Sequence, residues 1–376
     1  MNAEKPSYMR EVLETREMEL NMGPQHPATH GVYRAILTLD GERIMKLNSV
    51  VGYLHRGIEK WAEYRTYQQG VPIYDRLDYL GAVLNNHGIV GAVEKLLQLE
   101  VPRKAEYQRV ICDELQRLAS HLMWFATHAL DIGAMSVLFY GVREREPIMD
   151  LFEAHFGQRL LPNAYPIGGC RLDFPKGWTE ACRKFLKALK PRIDDYETLL
   201  TGNRMWRQRT IGVGVISKED AIAYGLSGPT LRGSGVCFDV RRSIPYSAYP
   251  EFDFEIPLGT NGDVFDRYLC RMKEMRQSIR IIEQALDGMP EGDLKGKAPK
   301  IMRAPMGEVY FTVEAAKGQL GYYIVSDGTD KPYRLHIKSP SFINLQGLNR
   351  MSEGALIADM VAIIGSIDIV LGEVDR

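Results

Sequence analysis

The sequence lacks paired cysteines, an excess of either charge and any apolar run long enough to cross a bilayer. Five cysteines in 376 residues lie far apart, with no CxxC or other metal-ligand spacing, so we expect no iron–sulfur cluster or structural zinc within the chain. A net charge of −1 argues against nucleic acid as a partner. No stretch approaches the roughly 18 apolar residues that a membrane span requires. These absences leave a globular protein.

The sequence start has neither the apolar core of a signal peptide nor the Arg-rich pattern of a transit peptide. We therefore expect the chain to stay where it is made, and the unpaired cysteines indicate a reducing, cytoplasmic compartment with buried free thiols. Without repeats, low-complexity tracts or Pro/Ser linkers, the chain is expected to form one domain, residues 1–376.

Hydrophobic periodicity predicts an α+β, mainly α protein. Alternation predicts antiparallel strands near the amino terminus and again within 309–337, with type I′ turn chemistry at Asp40-Gly41. Apolar spacing of three and four predicts long helices elsewhere. The predicted strands are 16–22, 33–39 and 43–47, and the predicted helices are 57–69, 73–99, 105–129, 147–156, 179–200, 263–286 and 352–364. We expect a bundle of long helices carrying a small antiparallel β-layer, with residues 1–50 as a hairpin region packed on it.

Two glycine-rich segments partly match nucleotide-binding motifs, but neither match is complete. Residues 212–217 (GVGVIS) break the dinucleotide fingerprint at Ser217, and no βαβ unit with a suitable acid follows. Residues 232–235 (RGSG) lack the GK[ST] of a phosphate-binding loop, so a tight turn is the better interpretation. We assign neither nicotinamide nor ATP to this chain.

The segment 22–31 (MGPQHPATHG) places His26 and His30 in a Pro/Gly loop between two predicted strands. Such a loop can hold an imidazole rigidly beside a ligand, but Pro27 opposes a helical i, i+4 metal pair. Alone, the segment is more often structural than functional. Later motifs at Arg56, Tyr79 and Asp131 strengthen the functional interpretation.

Together these motifs resemble one family throughout the chain, the D-type chain of NADH-quinone oxidoreductase, which is the hydrogenase-like quinone-site subunit of respiratory complex I. The motifs are, in order, 23–31 (GPQHPATHG), 52–60 (GYLHRGIEK), 76–80 (RLDYL), 129–134 (ALDIGA), 226–235 (LSGPTLRGSG), 307–310 (GEVY), 326–328 (SDG), 340–342 (PSF) and 372–376 (GEVDR). The resemblance implies a fold like the large subunit of nickel–iron hydrogenases. It also implies a peripheral position on the cytoplasmic side of a bacterial inner membrane.

In hydrogenases, four cysteines of two motifs hold the metal pair. Aligning those motifs here puts Asp78 and Gly81 at the first two positions, and Val370 and Glu373 at the last two. A nickel–iron site requires soft thiolates, so hydrogenase activity and a metal site are not expected. The family uses the vacated cavity for a quinone headgroup.

By resemblance, Tyr79 and His30 donate to the quinone oxygens, and Asp131 partners His30 and favours its charged form. A phenol and an imidazole suit this role because quinone reduction takes up two protons. The structural alternatives are a core tyrosine on an apolar helix face, a capping histidine and a surface aspartate at a helix end.

Arg56 resembles the arginine that the family places beside the terminal cluster, of the 4Fe-4S type, of a neighbouring subunit. A nearby positive charge should raise that cluster's reduction potential. The alternative is a surface salt bridge to Glu59 or Glu63. For His55 we expect a hydrogen bond to the backbone, since no thiolate lies nearby.

One position departs from the family, which often has a histidine where this sequence has Leu161. That histidine couples the potential of the neighbouring cluster to pH. With leucine in its place, we expect weaker pH dependence and a lower potential, which would suit a low-potential quinone such as menaquinone.

The chain lacks a flavin site and a cluster, so the resemblance implies partners. These are a B-type cluster-bearing subunit, a separate C-type subunit, an I-type ferredoxin-like subunit and a membrane H-type subunit, with quinone as substrate and proton pumping elsewhere. Two alternatives remain. One is the equivalent subunit of a complex fed by ferredoxin or a deazaflavin, and the other is a structural scaffold without chemistry.

Overall fold

The computed structural model describes residues 17–29 and 31–376. This part of the chain is mainly helical with two small antiparallel sheets, which confirms the α+β class. The strands are β1 Glu17–Met22, β2 Arg34–Asp40, β3 Arg43–Val50, β4 Gly307–Ala315, β5 Gly318–Ser326 and β6 Arg334–Lys338. A short 3-10 helix at Pro27–Thr29 lies in the loop after β1, and a second lies at Tyr249–Glu251.

Fifteen α-helices make up the rest of the described regular structure. They are α1 Ile58–Ala62, α2 Tyr67–Tyr74, α3 Ala82–Leu97, α4 Arg103–Asp131, α5 Met135–Phe156, α6 Trp178–Leu200, α7 Arg204–Thr210, α8 Lys218–Ala223, α9 Gly228–Gly233, α10 Val240–Ser243, α11 Val264–Gly288, α12 Pro340–Gln346, α13 Leu348–Ser352, α14 Ile357–Ile367 and α15 Leu371–Asp375. No helix in 17–29 or 31–376 is both long and apolar enough to span a membrane.

The first sheet has the order β1-β2-β3, and β2 alternates buried and half-exposed residues as the sequence predicts. Its buried face shares a hydrophobic cluster with residues near the carboxyl end, including Ile363 and Leu371. The hairpin turn is Gly41-Glu42, one residue later than expected, because Asp40 pairs with Arg43 inside the ladder. The first and last parts of the described chain therefore pack on each other.

The second sheet, β4-β5-β6, is separate from the first, so the prediction of one β-layer was wrong. Its β4–β5 hairpin turns at Ala316-Lys317 and is buried. Gly228 at the start of α9 adopts φ +65°, and a Cβ there would lie 2.6 Å from Lys317 O. Asn344 Nδ2 of α12 also donates to Lys317 O at 3.0 Å. Two helices thus fix the position of this turn.

Helix α4 is the central element, packed against α5, α11, α3 and α14 and buried along most of its length. The predicted helix 105–129 is confirmed, and so is the helix predicted over 179–200, which is α6. The helix predicted over 73–99 was wrong at its start, because residues 75–81 form a turn and α3 begins at Ala82. The helix predicted over 57–69 is likewise divided into α1 and α2.

Four of the five cysteines are buried free thiols as expected, but Cys237 is exposed. It follows α9 in an irregular segment, between the half-buried residues Val236 and Phe238.

A network of paired charges lies in the core between α4, α9, α10, α11 and β4. We call it the arginine network, and its members, each at most 1% exposed, are Glu114, Arg117, Arg232, Asp239, Arg241, Glu274 and Glu314. Arg232 donates to Glu274 at 2.8 Å and to Glu314 at 2.7 Å. Burial alone would raise the pKa of Glu274, but the charge of Arg232 lowers it to about 2. This carboxylate is therefore ionised and held by a guanidinium group.

Arg232→Met should lower the free energy of unfolding by about 3–5 kcal/mol, because Glu274 and Glu314 would remain buried without the guanidinium group that pairs with them. Urea unfolding of the purified chain measures this. Arg350→Met is the control, since Arg350 pairs with Asp220 and Glu353 on the surface and surface pairs contribute little. Equal effects of the two substitutions would contradict a stabilising role for the network.

Candidate functional site

The turn between α2 and α3 presents Tyr79. Asp78 fixes the turn from within, because its Oδ1 accepts from Leu80 N at 3.0 Å and its carbonyl accepts from Gly81 N at 3.0 Å. Gln116 of α4 donates to Leu80 O at 2.6 Å. Tyr79 therefore projects from a constrained turn, and it is not a core tyrosine on a helix face.

Helix α15 brings this turn together with the amino-terminal loop. A Cβ at Gly372 would lie 2.7 Å from Leu77 O, so only glycine allows the helix to approach the turn so closely. A Cβ at Gly31 would lie 3.2 Å from Leu371 Cδ1. The loop 23–31 and the turn 75–81 thus touch adjacent residues of one short helix.

His30 lies outside the described residues, so its side chain and its pairing with Asp131 stay predictions. The described neighbours of His30 are well held. The buried Thr29 Oγ1 lies 2.7 Å from His26 O and 2.8 Å from Gly31 O, and its one O–H is shared between these two carbonyl oxygens. His26 itself is exposed. These bonds fix the backbone on both sides of position 30.

Asp131 is the last residue of α4, as expected, and is half-buried. The end of α4 packs on α14, where Trp124 Nε1 donates to Gly365 O at 2.7 Å. The 3-10 helix Pro27–Thr29 packs on α14 as well. The helix that carries Asp131 and the loop that leads to His30 therefore share one support.

Behind Tyr79 lies a group of buried charges that sequence reasoning did not assemble. We call it the lysine cluster, and it consists of Asp78, Lys317, Asp368 and Glu373. Lys317 Nζ lies 3.1 Å from Asp78 Oδ2 and 3.6 Å from Asp368 Oδ2. Burial alone would lower the pKa of Lys317, but the charges of Asp368 and Asp78 raise it above its ordinary value. An ammonium ion is therefore fixed behind the turn.

Asp78 and Glu373 are two of the four positions aligned with hydrogenase cysteines, and both residues are 1% exposed. The other two positions, Gly81 and Val370, have no polar side chain. A Cβ at Gly81 would lie 2.6 Å from Asp78 Oδ2. Among the described residues, no group of three or more His, Cys, Asp or Glu could hold a metal ion. The aligned segments do meet in space, with a lysine and carboxylates between them.

Tyr79 is 49% exposed, so a ligand can reach its side chain. Burial of the remainder raises the pKa of Tyr79, and the positive charge of Lys317 opposes that rise. Arg145 of α5 also acts on Tyr79, and its Nε has no hydrogen-bond partner within the described chain. Neither Lys317 nor Arg145 belongs to a motif that the sequence marks.

Arg56 is exposed, and its Nη2 donates to Arg76 O at 2.8 Å, which ties it to the Tyr79 turn. Within the described residues, the alternative salt bridge to Glu59 or Glu63 is not formed. Those carboxylates instead contact Arg334, at 2.9 and 3.4 Å.

The segment before Arg56 is held by Asp375. The Asp375 carboxylate accepts from Gly52 N at 2.8 Å and from Leu54 N at 2.6 Å. His55 Nδ1 lies 2.6 Å from Asp375 O, which confirms the expected bond to the backbone. The end of α15 therefore positions Arg56, just as its start positions the Tyr79 turn.

Leu161 lies in a segment that also contacts the Tyr79 turn. Asn163 N donates to Asp75 at 2.8 Å, and Ala164 N donates to Asn86 Oδ1 at 2.6 Å. Leu161 has φ +55°, in the left-handed region that leucine rarely adopts. The position at which we expect a departure from the family therefore lies beside the candidate site.

Asp375→Ala should loosen residues 52–56 without unfolding the sheet, because two charge-assisted backbone bonds are lost. We expect amide hydrogen exchange of this segment to accelerate about tenfold or more, as about 1.4 kcal/mol corresponds to a factor of ten. Mass spectrometry of peptides covering 52–56 and β2 measures the difference. Glu353→Ala is the control. Unchanged exchange at 52–56 in Asp375→Ala would show that Asp375 does not hold this segment.

Comparison with known proteins connects this arrangement to a family. The family model described as respiratory-chain NADH dehydrogenase, 49 kDa subunit, matches residues 131–304 and 299–376. Three similar relatives are named as the D chain of NADH-quinone oxidoreductase. The Solibacter usitatus relative is 53% identical over 97% of this chain and 98% of its own length. The Desulforamulus reducens relative is 54% identical over 96% and 99%, and the Dehalococcoides mccartyi relative is 53% identical over 97% and 100%. The chain therefore belongs to the family of the 49 kDa, or D-type, subunit of NADH-quinone oxidoreductase.

Proposed function

We propose that this chain is the quinone-site subunit of a proton-pumping NADH:quinone oxidoreductase, respiratory complex I. The observation that carries the proposal is an accessible tyrosine on a constrained turn, with a buried ammonium ion behind it and the loop of His30 converging on the same helix. Membership of the NADH-quinone oxidoreductase family supports quinone as the redox partner. The chain is a subunit of an enzyme and is not active alone.

Reduction of a quinone adds two electrons and two protons, so negative charge develops on its oxygens. Tyr79 donates a hydrogen bond and then a proton to one oxygen. The positive charge of Lys317 acts on the Tyr79 hydroxyl and stabilises the phenolate that remains. His30, partnered by Asp131, is proposed to serve the other oxygen.

Arg56 is proposed to face the terminal iron–sulfur cluster of a B-type partner subunit. Its support is positional, because an exposed guanidinium is held against the turn that carries Tyr79. A fixed positive charge there would raise the cluster's reduction potential and favour its reduction by the upstream carriers. The cluster belongs to the partner, and this chain contributes only its surroundings.

The remaining assembly is proposed by family membership. The chain works as one hydrogenase-like domain, residues 1–376, and the described part of residues 1–50 packs on its helices, whereas residues 1–16 and 30 lie outside the described part. It lies in the peripheral arm on the cytoplasmic side of the bacterial membrane. Its other partners are a C-type subunit, an I-type ferredoxin-like subunit and a membrane H-type subunit, through which quinone enters.

Tyr79→Phe should lower the rate of NADH-driven quinone reduction in membranes by about a hundredfold. This is the lower end of the range of rate losses expected when a proton donor is removed. NADH reduction of an artificial acceptor, which takes electrons upstream, should be unchanged. Tyr333→Phe is the matched control, since Tyr333 is 68% exposed in the loop before β6. If Tyr79→Phe keeps full quinone reduction in an assembled complex, the scaffold interpretation prevails. A wild type without NADH oxidation points to another electron donor.

Leu161→His should increase the pH dependence of the partner cluster's potential. A nearby imidazole would take up a proton when the cluster is reduced, and leucine cannot. Redox titration of the wild-type cluster at two pH values should give a slope well below the full proton-coupled value of about 59 mV per pH unit. The slope measured for Leu161→His should be closer to this full value. A full slope in the wild type would refute the assignment of this position.

A further inference from the structure

Glu373 is a buried acid for which the proposed reaction so far has no use. Its carboxyl faces groups from four elements, which are Asp78 of the 75–81 turn, Lys317 of the β4–β5 turn, Ser341 of α12 and Tyr322 of β5. The Ser341 hydroxyl donates to Oε2. Oε1 has no hydrogen-bond partner within the described chain. One oxygen is therefore satisfied, and the other is buried without a donor.

The charges of the lysine cluster do not balance. Three carboxyl groups surround one ammonium ion, and all four side chains are buried. If every group were ionised, the cluster would carry two net negative charges. Arg271 of α11, whose charge acts on Asp368, compensates for one of them. An uncompensated charge in the core is costly, so one carboxyl should hold a proton.

Glu373 is the group that holds it. Asp78 and Asp368 both contact the Lys317 ammonium ion, at 3.1 and 3.6 Å, whereas no contact this short joins Glu373 to Lys317 among the described residues. Burial and the negative charge of Asp78 raise the pKa of Glu373 to about 8. Glu373 is therefore mainly neutral at pH 7.

The cluster is also connected to Tyr79. Asp78 precedes Tyr79 in the chain, and the charges of Lys317, Asp78 and Asp368 all act on the Tyr79 hydroxyl. A phenolate formed there would be stabilised by Lys317 but would still need a proton before the next turnover. Within the described cluster, the carboxyl that stores a proton is Glu373.

We propose that the lysine cluster stores, on Glu373, the proton that returns Tyr79 to its phenol form after each quinone reduction. This inference rests on the proposed function of Tyr79. Glu373 does not touch the quinone and acts through Tyr79.

Protons and electrons balance in this cycle. Two electrons from the partner's iron–sulfur cluster, one proton from Tyr79 and one from the second donor convert the quinone to quinol. The O–H bond of Tyr79 breaks and leaves a phenolate. The O–H bond of Glu373 then breaks, its proton passes through the carboxylates of the cluster to the phenolate, and Glu373 becomes a carboxylate. Glu373 and the second donor each regain one proton from the bulk solvent, so two protons and two electrons enter for each quinol formed.

Glu373→Gln tests this in the assembled membrane complex, because glutamine keeps a partner for Ser341 but has no acidic proton. At about pH 6, where Glu373 is protonated, wild type should reduce quinone about tenfold faster than the variant. As pH rises through about 8, Glu373 loses its proton, so the ratio of the two rates should fall toward one. The KM for quinone should not change. Exposed Glu353→Gln is the control, with a wild-type profile.

A spectroscopic measurement separates storage from a structural role. Infrared difference spectra across the pH range should show the carbonyl band of a protonated carboxylic acid that titrates near pH 8 in wild type and is missing in Glu373→Gln. Ser341→Ala removes a bond that favours the carboxylate, so the midpoint of this band and of the activity profile should move to higher pH.

A constant ratio of rates across the pH range, or a band unaffected by Glu373→Gln, would overturn the proposal. If that variant does not assemble, Ser341→Ala decides, and an unshifted midpoint counts against storage. Tyr79→Phe distinguishes a failure of the proposed function from a failure of the proton store alone. If it leaves quinone reduction intact, the proposed function fails. If it abolishes quinone reduction while Glu373→Gln keeps the wild-type profile, only the proton store fails.

Discussion

The pairing of charges along α4 is the constraint on which the rest of the molecule depends. This helix is buried through most of its length, yet it carries Glu114, Arg117 and His121, whose burial is tolerable only with partners. The partners come from α10, α11 and β4, and Arg232 of α9 joins them through Glu274. The short helices α9 and α10 have little hydrophobic surface of their own, so ion pairing specifies where they pack. Helix α4 also supplies Gln116 to the Tyr79 turn, so the candidate site is anchored to the same helix as the core charges.

The candidate site is built on charge. Asp78 and Glu373, at positions that by resemblance align with hydrogenase cysteines, lie with Lys317 in one buried cluster. This cluster holds an ammonium ion, which cannot change oxidation state. Such a cluster can move protons and stabilise negative charge, but it cannot hold electrons. That property suits the proposed function, in which a partner subunit supplies the electrons.

The sequence predicts long, periodic elements well and the site's geometry poorly. Strand β2 and helix α6 follow their patterns within about one residue, because each buries one continuous face. The turn 75–81 was missed, since apolar spacing runs through it, and the bonds to Asp78 and the tertiary contacts from Gln116 and Gly372 that form it leave no mark in that spacing. Lys317 was missed too. A lysine in a hairpin turn is ordinarily solvated, and nothing local shows that α9 and α12 cover this one.

The role of α15 has a consequence for the synthesis of the protein. Residues 371–376 leave the ribosome after every other residue of the site, yet they fix both the Tyr79 turn and the Arg56 segment. A chain that stops before residue 371 contains every residue of the arginine network but lacks the contacts that fix the Tyr79 turn and the Arg56 segment. The candidate site is therefore the last part of the described structure that synthesis can complete.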